Sequence, residues 1–215
     1  MKELIIALVL AAAAGYLLGS VNTAILVSRL LKHDDIRKYG SGNAGVTNMY
    51  RVYGKLPALL TVLGDFLKAA LAVVVSRLFF HVLGVDLSYD PGYLAGLFVL
   101  LGHIFPVYFA FKGGKGVMPL IGALTVVNPL LLAILAALTL PAVLLTRKMS
   151  LGSVIGSVAM PVAGGVLAGV QGENTLAITL YLVAYAVLIL VSHRGNIKRL
   201  LAGTENPLST KSPKS

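Results

Sequence analysis

The chain alternates between long apolar segments and short polar ones. Most of the apolar segments come close to the ~20 residues that a helix needs to cross a bilayer. Seven spans are predicted, at 4–31, 56–84, 93–111, 117–128, 130–146, 151–170 and 175–192. The fourth is short for a ~30 Å hydrocarbon core, so it is either broken or extended by irregular backbone buried in the bundle. The pattern predicts an all-α polytopic integral membrane protein with a single domain over 1–215 and a disordered tail at 206–215.

Composition supports this class, since 57% of the residues are hydrophobic and only 12% are charged. The absence of cysteine excludes disulfides, a thiol nucleophile and cysteine metal sites. The N-terminus resembles a signal peptide, but its charged head is only Lys2 and polar motif residues follow at once. We interpret it as a retained first helix.

The basic residues predict an orientation. Most of the 18 lysines and arginines fall in segments on one side of the predicted spans, whereas Glu3, Asp86, Asp90 and Glu173 fall on the other. The positive side is expected to be cytoplasmic, which places the N-terminus outside and the C-terminus inside. Topology and anionic lipid headgroups then account for the net charge of +10 without nucleic acid.

The first polar segment holds Gly40-Ser41-Gly42-Asn43-Ala44-Gly45, a G-x-G-x-x-G pattern. A dinucleotide site is disfavoured because no strand precedes it and its flanks are membrane spans. Glycines still allow backbone N–H groups to turn toward an anion, and Arg51 lies one helical turn beyond Thr47. The segment is therefore either a phosphate-binding loop or a solvated basic turn.

Two more polar clusters lie on the same side. Residues 111–116, with the sequence FKGGKG, combine glycines with Lys112 and Lys115 but do not form a Walker A loop. In the C-terminal cluster, His193, Asn196 and Arg199 recur every third residue, which predicts one helix stripe. Several cationic, glycine-containing sites on one membrane face favour anion binding over flexible linkers.

Ionisable residues also occur within or beside the spans. Asp65 and Lys68 are spaced i, i+3 inside the second span, and we interpret them as a structural ion pair. His103 ends the third span in GHIFP, where it is either an interfacial residue or a phosphate ligand. Arg147, Ser150 and Ser153 open the sixth span from the cationic side.

Together these segments resemble the bacterial acyl-phosphate:glycerol-3-phosphate acyltransferases (PlsY family), small seven-span enzymes, over essentially the whole chain. The motif GSGN-x-GATN corresponds to Gly40–Asn48, with Val46 in place of alanine. KGGKGVAT corresponds to the segment from Lys112, with Met118 and Pro119 in place of alanine and threonine. HR-x-NI-x-RL with a later G-x-E corresponds to 193–205.

The resemblance implies transfer of a fatty acyl group from acyl phosphate to the 1-hydroxyl of glycerol-3-phosphate, giving lysophosphatidic acid and inorganic phosphate. Because the sequence shows no evident nucleophile and no obvious Ser-His-Asp arrangement, we expect direct transfer without an acyl-enzyme, with His193 or a substrate phosphate oxygen as the general base. We expect no cofactor and no metal, and a monomer in the bacterial cytoplasmic (inner) membrane with its active site on the cytoplasmic face.

The predicted site residues fall into three groups. The catalytic residues are His193, Asn196, Lys115 and Ser41. The acyl-phosphate ligands are Gly40, Ser41, Gly42, Asn43, Gly45, Thr47, Asn48 and His103. The glycerol-3-phosphate ligands are Arg51, Lys112, Lys115, Ser150, His193 and Asn196. The assignment of loops to phosphates could be exchanged.

Other interpretations are weaker. A transporter for a phosphorylated or other anionic metabolite is the main alternative, but its site would be expected near the midplane between inverted repeats. A lipid-sensing module would not need three glycine-containing polar clusters. The H-x-x-x-x-D spacing of unrelated glycerolipid acyltransferases occurs at His81 and Asp86, on the opposite side from every other motif, and we interpret it as coincidence.

Overall fold

The computed structural model describes residues 1–208. Within that range the chain forms ten α-helices and two short 3₁₀ helices, Ile36–Lys38 and Val107–Phe109. The α-helices are α1 Lys2–Ser20, α2 Thr23–Lys32, α3 Val46–Tyr53, α4 Lys55–Val82, α5 Gly92–Ile104, α6 Val117–Val127, α7 Pro129–Thr146, α8 Met149–Gln171, α9 Thr175–Ser192 and α10 Arg194–Leu201.

The apolar helices match the predicted spans in position. Among residues 1–208, six helical segments are long and apolar enough to cross a membrane, the first of them combining α1 and α2. The short α6, at the fourth predicted span, is apolar but has only 11 residues. It packs against α4, α5 and α7, so protein covers much of its surface. Many leucines and valines point outward from these helices, as expected for a lipid-facing surface.

The first predicted span, 4–31, corresponds to one apolar segment, Lys2–Lys32, which is interrupted between α1 and α2. The chain leaves helical geometry at Val21 and Asn22, and the Asn22 side chain caps α2 by accepting a hydrogen bond from the Ile25 N–H at 3.1 Å. The break frees the carbonyl of Val21, which accepts a hydrogen bond from Lys68 at 2.7 Å. A polar contact inside the bundle thus compensates for the interrupted helix.

Packing divides the bundle into two connected parts. In one, α1 packs against α5 and α4, and close contact is possible because Gly15 and Gly19 face the backbone of α5. In the other, α8 packs against both α7 and α9 around a buried core that includes Leu131, Met160 and Leu182. The segments carrying the three polar clusters all emerge at the same end of this bundle.

The predicted tail, 206–215, is described only for its first three residues. The carbonyls of Asn206 and Pro207 each accept a hydrogen bond from Arg51 at 3.1 Å, and the Leu208 N–H donates to the Arg147 carbonyl at 2.7 Å. Residues 209–215 lie outside the described range.

Candidate active site

A polar cavity of about 160 Å³ lies at the end of the bundle where the three clusters meet. One enclosed water needs only ~10–15 Å³ in such measurements, so the space accommodates a much larger ligand. A wider cleft continues outward from it past Ser41, Arg51 and Arg194. The cavity walls are formed by Ser41, Asn43, Gly45, Val46, Thr47, Asn48, Arg51, Asp65, His103, Lys115, Gly116, Val117, Met118, Met149, Ser150, Ser153, His193, Asn196, Arg199 and Glu205.

The first loop owes its shape to Asn48 and two glycines. The Asn48 side chain accepts from the Ser41 N–H at 3.0 Å and donates to the carbonyls of Tyr39 and Asn43, both at 3.0 Å. Gly40 and Gly42 have φ values of +58° and +70°, which a side chain would disfavour. Asn48 therefore organises the loop from within, and we expect its effect on a bound phosphate to be indirect.

Two helix N-termini face the cavity without a side-chain cap. Helix α3 begins after Gly45 and helix α6 after Gly116, and neither of these glycines has a side chain that could bond the first N–H groups. Residues of both first turns line the cavity, including Val46, Thr47 and Val117. Free N–H groups and the positive ends of two helix dipoles thus converge on one space, which is the arrangement that binds anions.

The second loop folds back onto the end of α5. The N–H of Gly114 donates to the carbonyl of His103 at 3.0 Å, and Gly114 fits between the His103 ring and the carbonyl of Ala44. Arg37 joins this region to the first loop by donating to the carbonyls of Phe109 at 2.9 Å and Lys112 at 3.0 Å. These contacts hold the two glycine-containing loops together.

Glu205 is the centre of the third cluster. Its carboxylate accepts hydrogen bonds from Ser150, Asn196 and Arg199, each at 2.7 Å. Burial opposes its charge, but these three donors hold the pKa of Glu205 below its usual value. The Asn196 amide is thereby oriented with its oxygen toward Lys115, whose ammonium donates to it.

Lys115 and His193 both have perturbed proton affinities. Burial, assisted by the nearby positive charge of Arg199, lowers the pKa of Lys115 to about 8. Burial also lowers the pKa of His193 to about 4, so the ring is neutral at physiological pH. The Nδ1 atom of His193 lies 2.8 Å from the carbonyl of Ile189, and a carbonyl can only accept, so the proton of the neutral ring is on Nδ1. Nε2 therefore carries a lone pair.

The cavity gathers most of the predicted site residues, but the two lysines of the second loop separate. Lys115 is half-buried in the cavity wall, whereas Lys112 is exposed and lies outside the cavity. Lys112 and Lys115 are separated by Gly113 and Gly114, and their side chains point in different directions. The prediction that Lys112 grips the ligand is not supported by this geometry.

The C-terminal stripe also differs in detail from the prediction. His193 precedes α10 instead of lying within it, while Asn196 and Arg199 are on α10 and reach the same carboxylate. His81 and Asp86 are exposed at the opposite end of the bundle and line none of the described cavities.

An apolar groove of about 220 Å³ adjoins the polar cavity. It lies between α6, α7 and α8, and its walls include Leu124, Leu135 and Val143. Val117, Met149 and Ser153 line both spaces, so the groove and the cavity meet there. A ligand with an anionic head and an aliphatic chain would fit this combination.

Sequence reasoning did not identify two of these features. Glu205 belongs to the G-x-E of the third motif, but nothing in the neighbouring sequence indicates that it contacts α8 as well as α10. The groove arises from apolar positions that look like any other lipid-facing residues in the sequence. Its only local signal is the series of small residues on α8, Gly152, Gly156 and Ser157, all of which line it.

Comparison with known proteins gives concordant results. The protein family described as Glycerol-3-phosphate acyltransferase matches residues 9–203. A glycerol-3-phosphate acyltransferase of Clostridioides difficile is 38% identical over 203 residues, covering 94% of this chain and 96% of the relative. One from Laribacter hongkongensis is 43% identical over 197 residues, covering 91% and 94%.

Two solved structures are similar to the whole bundle. Both are crystal structures of PlsY (YgiH), an integral membrane glycerol 3-phosphate acyltransferase, and each covers 94% of this chain and 96% of its own. The glycerol 3-phosphate form has a TM-score of 0.79 at 31% identity, and the lysophosphatidic acid form has 0.77 at 30%. At this identity and coverage, the likeness extends beyond the general helical architecture.

Proposed function

This chain belongs to the glycerol-3-phosphate acyltransferase family, and from that premise we propose that it transfers a fatty acyl group from acyl phosphate to the 1-hydroxyl of glycerol-3-phosphate. The products are lysophosphatidic acid and inorganic phosphate. The observation that carries the proposal is the meeting of one polar, cationic cavity with one apolar groove. The reaction needs both, because its donor joins a phosphate to an aliphatic chain.

The cavity contains enough donors for two phosphate groups. The first loop and the N-terminus of α3 hold the acyl phosphate, through Ser41, Asn43 and the backbone around Gly45 and Thr47. Glycerol-3-phosphate lies toward Arg51, Lys115, Ser150, His193 and Asn196. An arginine binds a phosphate in a bidentate way and a lysine as a point charge, so two anions can be neutralised together.

The acyl chain lies in the groove between α6, α7 and α8. The groove is lined almost entirely by apolar side chains, so it accepts the aliphatic chain without desolvating polar groups. Its junction with the polar cavity, beside Val117, places the acyl carbonyl close to the N-terminus of α6. The positive end of that helix stabilises negative charge developing on the carbonyl oxygen.

Transfer requires one bond to form and one to break. The 1-hydroxyl oxygen of glycerol-3-phosphate attacks the acyl carbonyl carbon, and the carbon–oxygen bond to the phosphate breaks. The hydroxyl proton moves to Nε2 of His193 or to an oxygen of the acyl phosphate. A mixed anhydride is already activated, so positioning and charge neutralisation provide most of the rate enhancement, and no acyl-enzyme is needed.

A donor-substitution assay tests the reaction. Purified protein is incubated with glycerol-3-phosphate and, in turn, acyl phosphate, acyl-CoA and acyl carrier protein thioesters, while lysophosphatidic acid and inorganic phosphate are measured. We expect equal amounts of both products with acyl phosphate only. Product formation from a thioester, with none from acyl phosphate, would overturn the proposed donor. Uptake of glycerol-3-phosphate into proteoliposomes lacking any acyl donor would instead support the transporter alternative.

Phosphate exchange tests direct transfer. In the absence of glycerol-3-phosphate, the protein is incubated with unlabelled acyl phosphate and ³²P-labelled inorganic phosphate. Direct transfer predicts no label in the acyl phosphate, because no acyl-enzyme forms that labelled phosphate could attack. Label incorporation in the wild-type protein that is abolished in Ser41→Ala would identify Ser41 as a nucleophile.

We place the protein as a monomer in the bacterial inner membrane, with seven spans and the cavity on the cytoplasmic face. Single cysteines are introduced into the cysteine-free chain at Ser41, Lys112 and Ser88, all exposed positions. A membrane-impermeant thiol reagent applied to intact cells should label only the cysteine at Ser88. Labelling at both Ser41 and Ser88 from the same side would contradict the arrangement. Gly114 is unsuitable as a labelling site because a Cβ there would collide with the His103 ring.

A further inference from the structure

A strap formed by residues 203–208 borders the outer cleft, which is the wider cleft that continues outward from the polar cavity. The strap begins at Gly203, where a φ of +71° turns the chain away from α10. Glu205 anchors it through the hydrogen bonds to α8 and α10 described above. Asn206 follows and lines the outer cleft together with Arg51 and Lys115. The strap therefore lies beside the path that leads from the cavity to the outside.

The outer half of the strap binds its neighbours through backbone groups. The carbonyls of Asn206 and Pro207 each accept a hydrogen bond from Nη2 of Arg51 at 3.1 Å. The Leu208 N–H donates to the carbonyl of Arg147 at 2.7 Å. Within residues 1–208, both hydrogen bonds of the Arg51 side chain go to these two strap carbonyls. The strap thus uses a cation that we place among the glycerol-3-phosphate ligands.

The strap occupies the nitrogen of Arg51 that a bidentate phosphate contact needs. A guanidinium offers two pairs of parallel N–H groups, one from Nε and Nη2 and the other from Nη1 and Nη2. Both pairs include Nη2. Because Nη2 donates to two carbonyls, the strap uses both of its protons. Arg51 cannot bind a phosphate through either pair unless at least one of these carbonyls is released.

The contact of Arg51 with the strap is exchangeable, unlike the buried ion pair of Asp65 and Lys68, whose opposite charges lie 2.8 Å apart. A carbonyl carries only a partial negative charge, whereas a phosphate carries a full charge and accepts two parallel bonds from an arginine. Asn206 and Pro207 are exposed, so water can satisfy their carbonyls after release. A phosphate that reaches Arg51 therefore displaces the outer half of the strap.

We propose that the strap is a gate whose outer half, residues 206–208, occupies Arg51 until the phosphate of glycerol-3-phosphate displaces it, while Glu205 stays anchored. This rests on the proposed function for the identity of the anion. Part of the binding free energy of the substrate is used to release the strap, so the apparent affinity is lower than that of a free Arg51. The gate also favours ligands that carry a phosphate, because an uncharged polyol does not displace the carbonyls from the guanidinium.

Hydrogen exchange of the unmodified protein, measured by mass spectrometry, tests the gate directly. The amide of Leu208 is protected by its bond to the Arg147 carbonyl, so the peptide covering residues 206–208 reports release of the strap. Saturating glycerol-3-phosphate, without an acyl donor, should speed this exchange by about fivefold or more. Glycerol, which has the hydroxyl groups but no phosphate, is the control and should leave the exchange unchanged. Unchanged or slower exchange with glycerol-3-phosphate would overturn the proposal.

A variant that loosens the strap tests the same point through kinetics. Asn206→Gly/Pro207→Gly/Leu208→Gly keeps the chain length and adds no terminal carboxylate beside the cavity. Proline restricts its own backbone and that of the preceding residue, so glycine raises the entropic cost of ordering the strap on Arg51. The KM for glycerol-3-phosphate should fall by about three- to tenfold, with kcat within about twofold of the wild type. A raised KM would show that the strap positions Arg51 for binding, and a raised or unchanged KM would overturn the gate.

A double-mutant cycle assigns the effect to Arg51. Arg51→Ala removes the contact with the strap and also weakens substrate binding, so its kcat/KM should be low. Adding the three glycine substitutions to Arg51→Ala should change kcat/KM by less than about twofold, because no contact remains to be released. An increase as large as in the wild-type background would reject Arg51 as the group that the strap occupies.

The outcomes separate this inference from the proposed function. A wild-type protein that cannot use acyl phosphate, but whose strap is released by glycerol-3-phosphate, would reject the proposed reaction and support the gate. A wild-type protein that uses acyl phosphate, but whose strap exchanges equally with and without glycerol-3-phosphate, would reject only the gate.

Discussion

The two ends of the bundle use similar charged and polar residues but differ in the balance between cations and carboxylates. At the end opposite the cavity, which we call the closed end, Arg77 contacts the carboxylate of Asp90 at 3.0 and 3.2 Å and the carbonyl of Val126 at 2.9 Å. Nearby, Asn174 donates to the hydroxyl of Ser88 at 2.9 Å. These contacts join residues of different segments, so they hold the helices together.

The cavity end has more cations than carboxylates. Arg51, Lys115 and Arg199 surround a space in which Glu205 is the carboxylate nearest to them, and two uncapped helix N-termini add further positive potential. Such an excess costs free energy in an empty site and is compensated when an anion binds. Residue type alone therefore does not distinguish a structural ion pair from a binding site, whereas the balance of cations and carboxylates does.

The strongest test of this difference uses the two lysines of the second loop. Lys115→Ala should lower kcat/KM by about 10²–10³-fold, because it removes the partly buried cation that we propose neutralises the reacting phosphates. Lys112→Ala is the matched control and should keep most of the activity, since its side chain lies outside the cavity. The measurement is release of inorganic phosphate from acyl phosphate. Similar losses in both variants would show that the motif acts through its overall charge.

The pH dependence gives the next largest effect. Lys115 is charged below its pKa of about 8 and loses its charge as the pH rises through that value. In the free enzyme, kcat/KM should therefore fall about tenfold between pH 7 and pH 9. Lys115→Arg, which stays charged throughout, should lose this alkaline decline even if its maximal rate is lower. An unchanged decline in that variant would assign it to another group.

At the closed end, substitution should affect stability and leave catalysis intact. Arg77→Leu breaks the pair with Asp90, and because both side chains are partly exposed we expect a cost of about 1 kcal/mol. That corresponds to a decrease of roughly 2–4 °C in melting temperature for a chain of this size. Turnover per folded molecule in detergent should match the wild type. A loss of turnover without a loss of stability would connect this end to the active site.

The smallest effect is expected at His81. His81→Ala should leave turnover within about twofold of the wild type, because the side chain is exposed at the closed end. His193→Ala should lower turnover by about 10²-fold or more, because we propose that this side chain binds glycerol-3-phosphate beside its reacting hydroxyl group and a general base contributes a factor of this size. If the two histidine variants lost activity equally while remaining folded, the choice between the two histidine motifs would have to be reversed.

Local patterns in the sequence determined the class of protein and the composition of its site. Apolar segments of membrane-spanning length predict an all-α integral membrane protein, because backbone polar groups in lipid must be satisfied within a helix. Glycines beside cations and small polar residues, as in Gly40–Asn48, predict an anion site, because both features act within a few residues. The family prediction that rests on these motifs is confirmed.

Only the tertiary structure decided how these pieces work together. The contact of Lys68 with His103 joins residues 35 positions apart, and that of Lys115 with Asn196 joins residues 81 positions apart. In the sequence, Lys112 and Lys115 look equivalent, because both are lysines beside glycines in one short loop. The sequence also does not reveal the helix break that frees the Val21 carbonyl. Donor and acceptor roles of an imidazole depend on whichever group lies against each nitrogen, and in His103 and His193 that group is set by how the helices pack.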